Sequence, residues 1–238
     1  MLVGTLLERL TEDPSAAAVL LDVDGTLAPI AAEPGLADVP EETRAELRRL
    51  AGTYALVACL TGRTAREAAR IVGVREVRYV GEHGLELDPA AEEWSDRLAA
   101  FAATVPWPSE PGKRLSCAFH YRAADDERSA KQALRVVAER AREVGLRPRW
   151  GRKVLEIRPP LDADKGSAVR ALLAESGLRR ALYAGDDATD LDAFRGLDGL
   201  EVAVRVAVVS EEAPDELRQA ADLTVRGPRE LLELLRRL

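Results

Sequence analysis

Five short apolar runs, at residues 18–23, 54–60, 77–80, 181–184 and 201–204, are separated by stretches with helical periodicity. Strands apolar at consecutive positions have both faces covered, as in a parallel sheet lying between helices. The helical stretches are 41–51, with Leu47 and Leu50 on one side, then 64–72, 167–175 and 228–238. Thr64 followed by Glu67 reads as a capping box, and Gly73 as the stop of the same helix. Strands alternating with helices predict an α/β core with a parallel sheet and right-handed crossovers.

The middle of the chain has another character. Residues 116–122 alternate like a half-exposed strand, 125–144 is a long amphipathic helix, and 146–150 and 153–157 read as strands joined at Gly151-Arg152. Leu134, Val137, Ala138 and Ala141 mark the inward side of that helix. Such a run is an α+β unit inserted into the core, with hinges at Asp88-Pro89 and Pro159-Pro160. The expected division is a core of residues 1–87 and 161–238 with an inserted cap of residues 88–160.

With 238 residues, 47% of them hydrophobic, the chain can bury a substantial core. A net charge of −7 argues against general nucleic-acid binding. Cys59 and Cys117 form no CxxC pair and are expected to be buried free thiols. The first ten residues lack a basic signal-peptide region, and no apolar run reaches bilayer length, so a cytoplasmic protein without membrane partners is expected.

Chemistry gathers where the apolar runs end. Asp22-Val23-Asp24-Gly25-Thr26 closes the first run. Residues two apart on a strand share a face, so Asp22 and Asp24 converge at its tip. Close carboxylates need a cation or a shared proton, and magnesium with oxygen donors suits them, although an ordinary acidic loop would have the same residues. Thr61-Gly62-Arg63 follows the second run, offering a hydroxyl and backbone N–H groups ahead of a helix to a phosphate oxygen. Lys165 opens a helix, where the helix dipole favours anions; a bound anion would resolve the conflict, and a solvated surface lysine is the plainer alternative. Gly185-Asp186-Asp187-Ala188-Thr189-Asp190 places three carboxylates within five residues after the fourth run, for which a metal is the simplest account, Asp190 being explained in part as a helix-start residue.

These signals, in this order, resemble the haloacid dehalogenase-like superfamily of aspartate-nucleophile phosphatases. The resemblance implies a Rossmann-like parallel-sheet core with an inserted α+β cap. It implies Asp22 as nucleophile, Asp24 as general acid and base, and Thr61 and Lys165 as holders of the phosphoryl oxygens. It further implies Mg²⁺ on Asp22, the Asp24 backbone carbonyl and Asp186, with Asp187 and Asp190 in support. Carboxylates can attack phosphorus and divide one hard step into two.

Substrate identity must come from the cap, because one core serves many leaving groups. Residues 105–160 hold thirteen Lys/Arg against seven Asp/Glu, a basic segment suited to a phosphorylated ligand. Gly81-Glu82-His83-Gly84, Phe119-His120-Tyr121-Arg122, Gly151-Arg152-Lys153-Val154-Leu155-Glu156-Ile157-Arg158-Pro159 and Gly185-Asp186-Asp187-Ala188-Thr189-Asp190 are similar to strings of the trehalose-6-phosphate phosphatases. Gly62, Arg63, His83, Arg122, Arg152, Lys153 and Glu156 are the expected substrate contacts; for Glu156 a salt bridge to Arg158 or Lys153 is the competing reading. His120 is expected to be a packed, structural histidine. Leu191 stands where that family usually carries glutamate, and Glu82 where it carries Asn or Ser. The resemblance implies a monomeric enzyme that hydrolyses the small sugar phosphate trehalose 6-phosphate to trehalose and phosphate; phosphatases of sucrose phosphate, mannosyl phosphoglycerate or hexose phosphates, and a non-catalytic sensor, are the alternatives.

Overall fold

The computed structural model describes residues 3–30, 36–151, 153–210 and 213–238. Helix α1 (Val3–Thr11), strand β1 (Ala17–Leu21), α2 (Glu41–Ala51), β2 (Leu56–Leu60), α3 (Ala65–Val72) and β3 (Arg78–Val80) come first. The middle contributes α4 (Ser95–Ala103), β4 (Cys117–His120), α5 (Glu127–Glu143), β5 (Arg147–Gly151) and β6 (Val154–Arg158). Then follow α6 (Lys165–Ser176), β7 (Arg180–Gly185), α7 (Asp190–Gly196), β8 (Val202–Val209), α8 (Asp215–Ala220), β9 (Leu223–Arg226) and α9 (Gly227–Leu235). Two compact units result, one from the described residues up to Gly84 and from Ala163 onward, the other from Leu85–Asp162.

The first unit is built on a six-stranded parallel sheet in the order β3-β2-β1-β7-β8-β9. Every residue of β1 is buried, as consecutive apolar residues between two layers require. Leu21 lies opposite Cys59 on β2 and Ala184 on β7, and Leu60 lies opposite Val80 on β3. The carboxyl ends of these strands therefore share one edge. The chain moves from β1 to β2 on one side, and β7 returns on the other, so β1 adjoins a topological switch point where open α/β sheets bind ligands.

Differences from the expected elements have physical causes. Thr64 does cap α3 and Gly73 ends it with φ +69°, but the Glu67 carboxylate does not close the box; it turns to Arg63 instead. β8 runs on to Val209, and β9 gives no apolar signal because it is a short edge strand with exposed Thr224 and Arg226. α1 and α4 were not anticipated, although Leu6, Leu7 and Leu10, and Leu98, Phe101 and Ala102, recur at helical spacing.

In the second unit β4, β6 and β5 form an antiparallel sheet. Phe119, Leu155 and Ile157 join Leu98 from α4 and Leu134 from α5 in a separate apolar core. Asp126 caps α5 by accepting from the Arg128 and Ser129 N–H groups. Strand alternation sends Glu156 to the opposite face from Leu155 and Ile157. It also corrects the expectation for His120, which is exposed at the end of β4 because Phe119 takes the core side. Both cysteines are buried and free. Among the described residues no helix is long and apolar enough to cross a membrane.

Candidate active site

Asp22 directly follows β1, and its N–H donates to the Ala184 carbonyl on β7 at 2.9 Å, so the sheet fixes its backbone. Three residues later Gly25 takes φ +80°, and a Cβ there would overlap the Asp186 carboxylate. Only glycine lets the turn after β1 come this close to the loop after β7. Asp22, Asp186 and Asp190 each present a carboxylate oxygen within 4.8 Å of the others, and all three are buried.

Lys165 is the first residue of α6, whose N-terminus is closed by a reciprocal Asp164–Ser167 capping box. It is no surface lysine. Only 2% exposed, it places Nζ 2.7 Å from Asp22 Oδ1 and 2.7 Å from Asp190 Oδ1. Burial acts to lower its pKa, but the two carboxylates outweigh burial and raise it, so the ammonium is permanent. The helix-start conflict is resolved by protein carboxylates.

Asp190 accepts from four donors. Oδ1 receives Lys165 and the Tyr183 hydroxyl, each at 2.7 Å, while Oδ2 receives the Asp186 and Asp187 N–H groups, each at 2.9 Å. A carboxylate has about four acceptor positions, so Asp190 is saturated. It is a fixed counter-charge that also shapes the Asp186 loop. Tyr183 was not anticipated; its only signal is a lone hydroxyl inside the apolar run before Gly185.

Asp22 and Asp190 share the Lys165 ammonium, and the Asp186 carboxyl group crowds the same buried space. Burial pushes the Asp22 carboxyl up to about 7, against the opposing pull of Lys165, with Asp190 and Asp24 adding to the rise. Burial, then Asp22, Asp190 and Asp187, push Asp186 up to about 9. Hard oxygen donors with excess negative charge fit a divalent cation. Asp187, expected to support a metal, stands outside this cluster and accepts from the Ala188 N–H at 2.7 Å.

The rim comes from β2 and β3. Thr61 is buried, donating its N–H to Val80 and accepting the Arg63 N–H on its hydroxyl at 3.1 Å. Glu82 and His83 both adopt positive φ, at 46° and 55°, a strained conformation for such residues. The strain is held by two bonds: Glu82 N–H to the Arg63 carbonyl at 2.7 Å and His83 N–H to the Thr61 carbonyl at 2.9 Å. The His83 ring fills the place where a side chain on Gly62 would be. Arg63, expected to contact substrate, forks onto Asp24, with Nε to Oδ2 at 2.7 Å and Nη2 to Oδ1 at 2.8 Å.

In the second unit Glu156 is buried, with Lys113 Nζ at 3.3 Å, Ser116 Oγ at 3.1 Å and Arg158 Nε at 3.8 Å. Lys113 also reaches Glu110 at 3.5 Å. Burial would raise the Glu110 pKa, but His120 and Lys113 overcome it and hold the carboxyl below its usual range. Lys153 pairs with Glu127 at 2.6 Å rather than with Glu156, and Arg122 is half-buried beyond β4. Arg152 lies outside the described residues. Lys113 and Ser116 were missed, because they approach Glu156 only through tertiary folding.

The trehalose-phosphatase family model matches residues 20–110 and 111–226. A trehalose-phosphate phosphatase of Mycobacterium avium is 33% identical over 93% of this chain and 61% of its own length. A probable trehalose-phosphate phosphatase of Oryza sativa subsp. japonica is 30% identical over 92% of this chain and 65% of its own. This chain thus spans less than two thirds of either relative. Among solved structures, the C-terminal domain of a Candida albicans trehalose-6-phosphate phosphatase has TM-score 0.78 and 22% identity, covering 99% of this chain and 95% of that one. A haloacid dehalogenase-like hydrolase from Bacteroides thetaiotaomicron has TM-score 0.66 and 18% identity, covering 93% of this chain and 98% of that one. The structural likeness establishes a haloacid dehalogenase-like fold. By its sequence match across both units, the chain belongs to the trehalose-phosphatase family.

Proposed function

We propose that this chain is a Mg²⁺-dependent phosphatase of trehalose biosynthesis, hydrolysing trehalose 6-phosphate to trehalose and inorganic phosphate through an aspartyl-phosphate on Asp22. The observation that carries this reading is the Lys165 ammonium, wedged between Asp22 and the saturated Asp190. It aims a strand-end carboxylate and supplies fixed positive charge where phosphoryl oxygens must gather.

An Asp22 oxygen attacks phosphorus as the bond to the sugar oxygen breaks, and Asp24 gives that oxygen its proton. Asp24 then takes a proton from water, whose oxygen attacks the same phosphorus. The Asp22–phosphate bond breaks, restoring the carboxylate and releasing phosphate. The Thr61 hydroxyl and the N–H groups of its loop steady the phosphoryl oxygens. Asp22 and Asp186 would hold Mg²⁺, with the Asp24 carbonyl, and the ion would neutralise charge on the transferring group. In the second unit, Glu156 with Lys113 and Ser116 supplies paired acceptors and donors of the kind that read sugar hydroxyls.

Initial rates over a panel of sugar phosphates, with Mg²⁺ present, test the substrate. Trehalose 6-phosphate should give the highest kcat/KM, and a better substrate overturns the narrow assignment. Borohydride reduction of a quenched reaction should convert residue 22 to homoserine, as an acyl phosphate requires. Asp22→Asn should be inactive though folded, and more than a few percent of residual turnover would indicate direct attack by water.

A further inference from the structure

The guanidinium of Arg63 has three engagements. Two of them form the fork on Asp24, and the third is Nη1 to Glu67 Oε1 at 2.5 Å. Arg63 is buried, whereas the Asp24 side chain is 39% exposed and would otherwise be free to rotate. The backbone of Arg63 is fastened at both ends, its N–H to the Thr61 hydroxyl and its carbonyl to the Glu82 N–H. Glu67 stands in the first turn of α3, between the Thr64 cap and the Gly73 stop. A rigid chain of contacts therefore runs from α3 through Glu67 and Arg63 to both oxygens of Asp24.

A residue that binds substrate phosphate presents open donors to the ligand. Arg63 commits three of its five N–H donors to two carboxylates, the fork to Asp24 and one further N–H to Glu67, so protein groups set its orientation. Planar bidentate pairing fixes orientation as well as distance, which a lysine cannot reproduce.

We propose that Arg63, anchored by Glu67, is a positioning residue that orients Asp24 for proton transfer, and not a ligand of the substrate. The inference rests on the reading of Asp24 as the general acid and base. Acid assistance matters most for a basic leaving group and hardly at all for a weakly basic one. Loss of orientation should therefore divide substrates by leaving group, an effect that loosened folding would not produce.

The test compares kcat/KM for phenyl phosphate and 2,4-dinitrophenyl phosphate, which differ little in size and greatly in leaving-group basicity. In this two-step reaction kcat/KM reports phosphoenzyme formation alone. Arg63→Lys should lose about tenfold on phenyl phosphate, a part of the roughly 10²–10⁴-fold that general acid catalysis contributes, and less than about twofold on the dinitrophenyl ester. Glu67→Ala, on a partly exposed helix position, should show the same split more weakly, and it serves if the buried substitution impairs folding. Equal losses on both esters, or a raised KM with unchanged kcat, would overturn the inference. Asp24→Asn is the separate control: if it shows no split, the acid/base reading of Asp24 fails, whatever Arg63 does.

Discussion

The Tyr183 hydroxyl donates to Asp190 Oδ1 at 2.7 Å, on the same oxygen that receives Lys165. Burial first, then the neighbouring carboxylates, raises the Tyr183 pKa well above its usual value, so this phenol is always a donor. Tyr183→Phe removes one of the four donors to a buried anion. A stability loss of about 1–3 kcal/mol is expected, measured by denaturant unfolding. Lys165 would then be drawn toward Asp190 and away from Asp22, with a several-fold fall in kcat. Unchanged stability and rate would show that the contact is dispensable.

Lys165 is paired with two buried carboxylates in the interior of the unit. Removing one partner of a buried ion pair leaves uncompensated charge and costs about 3–5 kcal/mol. Lys165→Met should accordingly unfold at much lower denaturant and lose turnover. At acidic pH, where Asp22 becomes protonated, part of the stability loss should be recovered.

The raised carboxyl groups set the sign of the pH dependence. Asp22 and Asp186 have pKa values pushed up to about 7 and about 9, above the unfolded value near 3.8, so the fold retains protons that the unfolded chain has released. Stability falls with pH wherever the folded state binds more protons. Metal-free protein should therefore lose Tm contribution from this cluster between about pH 4 and pH 9. Mg²⁺ competes with those protons, so its stabilising shift should be greater at pH 8 than at pH 5.5. An equal shift at both values, by differential scanning calorimetry, would mean that the ion binds elsewhere.

Asp186→Asn separates function from stability. It replaces a buried carboxyl group crowded by Asp22 and Asp190 with a neutral amide of the same shape. Without metal at pH 8 its Tm should equal or exceed that of the parent, while the Mg²⁺-dependent shift and the phosphatase activity should vanish.

Glu156→Gln keeps the volume and removes one charge from the pair with Lys113. If the cluster reads sugar hydroxyls, kcat/KM for trehalose 6-phosphate should fall about tenfold or more, as for a lost charge-assisted contact, with little change for phenyl phosphate. Proportional losses on both would give Glu156 a purely structural role.

The residues legible in the sequence were those whose signal is local. Consecutive apolar runs marked β1 and β7, Thr64 and Gly73 marked the ends of α3, and the acidic strings followed strand ends. Glu67 was misassigned because a capping-box pattern says nothing of an arginine competing for the carboxylate, and Arg63 lies within reach at 2.5 Å. Asp187 and Asp190 are alike as letters, yet the turn into α7 buries Asp190 and leaves Asp187 outside the cluster.

Periodicity and turn chemistry act over a few residues, so the chain alone determined its alternating strands and helices, its inserted α+β segment and the loops that carry charge. Partnership between distant groups depends on register and strand order, which bring residues 22, 165 and 190 together from separate parts of the chain. Tertiary structure alone decided that Lys165 is a buried counter-charge, that Asp190 is saturated, and that Arg63 grips Asp24. The physical reason is that burial makes unpaired charge costly, and only the assembled fold determines which opposite charge is near enough to answer it.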